Sequence, residues 1–251
     1  MSTANKVANV TLLFWVMKIC ATTLGETGGD LLSMTLGIGY AASTLILLGF
    51  FAATLSLQLA RSRFVPWIYW LVILSTSTTG TTLSDFMDRT LGLGYATGSS
   101  LLAGCLAVVL IAWRLVEGSL SVQNIARRRS EIFYWAAILV SNTLGTALGD
   151  FLADDSGLGF LGGAALIGGA IAVVAAFAAF TRVNRVLLFW LAFVLTRPFG
   201  ATFGDLLTKT SEKGGLDLGT IGASAVLAAI LLVGVIYASR THSDQSMPEA
   251  G

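Results

Sequence analysis

The sequence predicts an all-α, polytopic membrane protein: eight transmembrane helices, built as four two-helix repeats with parallel orientation. Three observations predict it. The 251 residues are 55% hydrophobic and 12% charged, with mean hydropathy +0.80, whereas soluble domains carry about 25% charged residues. One motif recurs four times at fixed offsets. Lysine and arginine collect on one side of the apolar spans.

The motif is W-x9-G-x3-[GS]-D. It starts at Trp15, Trp70, Trp135 and Trp190 and ends at Asp30, Asp85, Asp150 and Asp205. Its glycines are Gly25, Gly80, Gly145 and Gly200, and its small residues before the aspartate are Gly29, Ser84, Gly149 and Gly204. Recurrence at fixed spacing marks a repeat architecture. The copies are 55, 65 and 55 residues apart, and the longer middle interval holds the polar run SVQNIARRRS. The chain therefore divides into a first half at 1–120, a basic linker at 121–130, a second half at 131–240 and a polar tail at 241–251.

Each repeat supplies two elements. The first spans the Trp-to-Asp stretch. The second follows a glycine turn, GIGY at 37–40, GLGY at 92–95 and GLGF at 157–160, as in the apolar run at 40–60. In the fourth copy the insertion SEKGG precedes LDLG at 216–219. Runs of about 20 apolar residues cross ~30 Å of hydrocarbon as helices. Strand alternation is absent. The N-terminal residues read as the approach to the first helix and not as a removed signal.

Ten of the fifteen basic residues lie outside the helix pairs, Lys6, Arg61 and Arg127, Arg128 and Arg129 among them; the turns within pairs hold Arg89, Lys209 and Lys213. The positive-inside rule then places both termini and the linker in the cytoplasm, with Trp15, Trp67, Trp70, Trp135 and Trp190 as an interfacial belt. Repeats of even helix number keep one orientation, so all four aspartates fall at one depth, about 22 Å of helix beyond the tryptophans.

Stepping back from each aspartate in fours gives Asp30, Glu26, Thr22 and Lys18 in the first copy, and Asp205, Ala201, Arg197 and Phe193 in the fourth. Residues four apart stack on one helix face. This polar seam faces the bundle interior, because ionisable groups in a span are costly toward lipid. The small pairs Gly25 and Gly29, Gly80 and Ser84, Gly145 and Gly149, and Gly200 and Gly204 let the first helices approach closely, with the second helices outside. Lys18 either snorkels or enters the seam; Arg197, followed by Pro198, pairs with a carboxylate or a kinked backbone.

Five in-span acids, Glu26, Asp30, Asp85, Asp150 and Asp205, outnumber the two in-span bases, Lys18 and Arg197, which act as pathway charges. Carboxylate and hydroxyl oxygens suit a proton or a hard metal ion, so Asp30, Asp85, Asp150 and Asp205 are the candidate metal ligands. The sole histidine, His242, is in the tail, and Cys20 and Cys105 show no metal-ligand or disulfide spacing. Net charge is +1, so nothing points to nucleic acid.

The four W-x9-G-x3-[GS]-D units with their GIGY and GLGY turns resemble a family of uncharacterised bacterial integral membrane proteins. That family is built from a short repeat of unknown function, usually in four copies, and the resemblance covers about residues 7–240. It implies a bacterial inner-membrane location and a helical fold, and no substrate. Arg197, Pro198 and SEKGG depart from the pattern in the fourth copy.

The expectation is a secondary transporter of a small cation, a metal ion or proton-coupled, without enzymatic activity and without a cofactor. The alternatives are a cation channel with an aspartate ring, and a membrane scaffold or regulator in which Arg127, Arg128 and Arg129 bind anionic lipid or a partner. No catalytic triad, metalloprotease motif or nucleotide loop is present.

Overall fold

The structure is a computed structural model and describes residues 6–125 and 127–246. Among the described residues it is all helical, with eight α-helices: α1 (Leu12–Asp30), α2 (Tyr40–Leu59), α3 (Pro66–Asp85), α4 (Tyr95–Glu117), α5 (Arg128–Asp150), α6 (Gly159–Phe180), α7 (Arg185–Thr208) and α8 (Thr220–Ser246). Of the tail expected at 241–251, the first six residues continue α8, and 247–251 lie outside the described residues. Six helices are long and apolar enough to cross a membrane; α1 and α3 are not among them. These two carry Lys18, Glu26 and Asp30, or a run of serine and threonine, and they bury those polar residues inside the protein.

The odd-numbered helices form an inner ring, α1 against α3, α3 against α5, α5 against α7 and α7 against α1. The even-numbered helices lie outside. Each packs mainly on the inner helix of the following repeat: α2 on α3, α4 on α5, α6 on α7, and α8 back on α1. The short glycine turns within repeats suggest hairpin partners. The observed neighbours are instead offset by one repeat.

In the first three repeats a π-helical turn follows the aspartate, at Leu31–Thr35, Phe86–Thr90 and Phe151–Asp155. Its signature is a backbone bond that reaches back five residues, such as Leu91 N–H to Phe86 O at 2.9 Å. Such turns carry the helix past the aspartate and often occur at functional sites. In the glycine turns, Gly157 and Gly159 have φ of 77° and 66°; the fourth copy holds Asp217 at φ 54° in the first of these positions. A non-glycine residue in that region carries strain.

The tryptophan belt needs correction. Trp67 is exposed, but Trp70, Trp135 and Trp190 are buried. They form an aromatic layer at one end of the ring, with Tyr69 and Trp135 centroids 5.5 Å apart and the Tyr69 and Tyr134 hydroxyls 2.6 Å apart. Their repeat position faces the neighbouring inner helix, so these rings seal the bundle instead of anchoring it in lipid.

Candidate functional site

The glycines decide how the inner ring closes. A Cβ on Gly25 would strike Ser77; on Gly80 it would sit 2.9 Å from Asn142 C; on Gly145 it would strike Arg197; on Gly200 it would sit 2.6 Å from Thr22 Oγ1. The residues met, Thr22, Ser77, Asn142 and Arg197, all lie eight before an aspartate. Gly29, Gly149 and Gly204 likewise receive Thr81, Ala201 and Glu26, four before an aspartate. Each inner helix thus lays its seam across the glycines of the preceding one. Ser84, the non-glycine of the set, donates to Asp88 Oδ2 at 3.3 Å.

The seam is filled in layers. Lys18, Ile73, Ile138 and Phe193 are completely buried, as are Thr22, Ser77, Asn142 and Arg197. Lys18 does not snorkel: its ammonium donates to Asn142 Oδ1 at 3.3 Å and lies 4.1 Å over the Phe193 ring. Arg197 donates to Glu26 Oε2 at 3.0 Å and to the hydroxyls of Thr81 and Thr146. The two departures from the repeat, an acid on α1 and a base on α7, therefore neutralise each other across one helix joint.

The four aspartates come to one end of the ring, 2–5% exposed, and divide into two pairs. Arg89 joins Asp85, Nε to Oδ1 at 2.9 Å, to Asp150, Nη2 to Oδ2 at 3.3 Å. Lys209 joins Asp30 to Asp205, the latter at 3.0 Å. Arg89 and Lys209 each stand four residues after an aspartate. Sequence reasoning assigned both to outer turns; continuing the four-residue step past the aspartates would have found them. Burial pulls the Lys209 ammonium down, but Asp205 and Asp30 outweigh it and hold the group above the ordinary lysine range.

The five acids therefore meet three bases, Arg197, Arg89 and Lys209, while Lys18 is held by Asn142 and Phe193, and the surplus expected from in-span residues alone shrinks accordingly. One group retains a metal-like geometry among the described residues: carboxylate oxygens of Glu26, Asp30 and Asp205 lie within 4.8 Å of one another. Asp85 and Asp150 are outside that group. The set offers hard oxygen donors, with Lys209 in contact with two of its three members.

At the opposite end, Lys6 pairs with buried Glu131, and Gln58 Nε2 donates to Glu131 Oε1 at 3.0 Å and to Lys6 O at 3.1 Å. Arg127, Arg128 and Arg129 are exposed, and Arg129 lies 3.8 Å from Glu117.

The model of the Repeat of Unknown Function (DUF347) matches the chain four times, at residues 13–64, 68–119, 133–184 and 188–244. The chain belongs to this family. Each DUF347 repeat contributes one inner helix, its aspartate and the outer helix that covers the next repeat's inner helix. No curated protein and no solved structure matches the chain.

Proposed function

We propose that this DUF347 protein is a secondary transporter of a small cation, a metal ion or one exchanged for protons, in the bacterial inner membrane. All eight helices cross the bilayer, the four repeats run the same way, and both termini are cytoplasmic. The observation that carries the reading is the Glu26, Asp30 and Asp205 oxygen cluster with Lys209 against it. Buried carboxylates need a counter-charge, and a lysine ammonium on a flexible stem is one that an incoming cation can replace. Asp85, Asp150 and Arg89 form the companion pair that holds the other half of the ring closed.

The filled seam favours alternating access over a standing aspartate-ring pore. Fully buried side chains occupy successive layers below the aspartates, so an ion passes only when helices move. The chemistry is binding and release, with no covalent step.

The test is thermal stability of purified protein in detergent against Na⁺, K⁺, Mg²⁺, Mn²⁺, Ca²⁺ and pH steps, followed by flux in proteoliposomes. A ligand at 100 times its dissociation constant stabilises by about 2.7 kcal/mol. The expected result is a selective shift and flux, both lost in Asp30→Asn and Asp205→Asn. Absence of a shift for every ion, or intact flux in all four single Asp→Asn variants, overturns the reading.

A further inference from the structure

One position of the four second helices separates the two halves of the chain. Eighteen residues after the first residues of these helices' common frame, Tyr40, Tyr95, Phe160 and Thr220, stand Gln58, Trp113, Ala178 and Ala238. In the first half this position carries a wedge. Gln58 is fully buried and bonded to Glu131. Trp113 is 1% exposed and enters the joint between α5 and α7, edge-on to Tyr134 and Trp190 with centroids at 6.4 and 5.7 Å.

In the second half the wedge is an alanine, and a cavity opens at each joint. At the joint of α7 and α1, the residues equivalent to Tyr134 and Trp190 are Phe189 and Trp15. Both line a groove of about 880 Å³ together with Ala178. At the joint of α1 and α3, Phe14 and Trp70 line a space of about 170 Å³ beside Ala238. The second is smaller than the ~300–1,000 Å³ typical of ligand sites, and the first falls within that range.

The larger groove is amphipathic. Its walls are apolar, and at its mouth lie Arg185 and the linker residues Ser121 and Gln123. Arg185 is exposed and donates through Nη1 to the carbonyl of Ala178; no Asp or Glu lines the groove among the described residues. The surrounding surface is hydrocarbon-like, with Phe180 87% and Leu12 81% exposed.

We propose that this groove binds one anionic phospholipid of the cytoplasmic leaflet, with an acyl chain in the place taken by Trp113 in the preceding repeat and the phosphate on Arg185. A basic residue at the mouth of a cytoplasmic-side pocket between transmembrane helices suits an anionic headgroup. The groove lies where the last inner helix meets the first, so the lipid fastens the closing joint of the ring. The inference rests on the membrane orientation proposed above and not on ion transport; its readout is lipid retention, which is independent of flux.

The experiment is native mass spectrometry of the full chain, delipidated in detergent and exposed to phosphatidylglycerol or phosphatidylcholine in mixed micelles. Wild type is expected to retain a single phosphatidylglycerol and to hold it about fivefold more tightly than phosphatidylcholine, the gain of about one cationic contact. Arg185→Gln should bring the two lipids level. Ala178→Trp, which restores the wedge, and Ala175→Leu, which installs the residue found at the same place in α4, should both lose the lipid. The milder Ala175→Leu decides the matter if Ala178→Trp fails to fold. Phosphatidylglycerol retained by well-folded filled variants as by wild type overturns the proposal, as does equal retention of both lipids by wild type.

Discussion

The two bridged aspartate pairs occupy equivalent places and differ in the cation between them. Arg89 is fixed from several sides: it contacts Asp85 and Asp150, Nη1 donates to the Tyr40 hydroxyl at 3.3 Å, and the rings of Tyr40 and Tyr95 lie 5.9 and 5.6 Å from its guanidinium carbon. Lys209 offers a single ammonium to Asp30 and Asp205, and its further neighbour is the Met34 sulfur at 3.9 Å. A planar guanidinium between two carboxylates and two rings is held in one geometry, whereas an ammonium keeps its freedom. The same backbone position thus serves as a lock in one half of the ring and as a replaceable charge in the other. Glu26 adds a third carboxylate only on the replaceable side.

The largest effect should come from the charge that separates Glu26 from the lock. Arg197→Gln leaves Glu26 buried without its ion-pair partner and should cost about 4 kcal/mol in detergent unfolding. Adding Glu26→Gln should recover at least half of that; an additive double variant would show that the two residues act independently. Next is Arg89→Gln, expected to cost about 3 kcal/mol, the low end for a buried pair because the side chain is 31% exposed. Lys209→Gln should cost a similar ~3 kcal/mol without added cation, because its side chain is 20% exposed, but that loss should be made good by the cation that fills its place. Ion-dependent recovery that is equal at Arg89 and Lys209, or absent at Lys209, would erase the distinction between lock and replaceable charge. The smallest effect is Tyr40→Phe, which removes one exposed hydrogen bond to Arg89 and should cost about 0.5–1 kcal/mol by the same unfolding measurement. Alkaline pH offers a check of sign. Because Lys209 is held above the ordinary lysine value of about 10.4, its contribution is full below that pH and is lost only as pH rises further. The slope of stability against pH between pH 7 and 10 should therefore be the same in wild type and in Lys209→Arg.

The inner ring was legible in the sequence because a four-residue step maps directly onto a helix face. The glycines are the sites of close approach, as expected, and the residues they meet, Ser77 for Gly25 and Asn142 for Gly80, are given by the structure. The pairing of Glu26 with Arg197 was partly legible, since each puts a charge where the other repeats have none and the two charges are opposite. Two things were not. A π-helical turn is not signalled by hydrophobic periodicity, so Arg89 was placed on a connection and not on the continuing face of Asp85. Nor does the brevity of a turn such as GIGY say which neighbour the second helix will cover. Packing settles that, and α6 and α8 take the same offset as α2 and α4 although alanine stands where Gln58 and Trp113 do.

The offset of the outer helices has a consequence for how the chain can be divided. Each repeat covers mainly the inner helix of the next; α2 covers α3, and α8 returns to cover α1. A fragment holding the first two repeats would end with α4 lacking an inner helix to cover and would begin with α1 uncovered. Those two edges have the same relation as α4 has to α5 and α8 to α1 in the intact ring. Two such fragments have complementary edges for a head-to-tail closure, but each would bury Glu26 without Arg197, and the linker itself is packed through Val122 and Ile125, with the Lys6 N–H donating to Ile125 O. The ring is in this sense cyclic in its packing and not in its charges, so a circular permutation that keeps the linker and both halves together keeps every helix joint available.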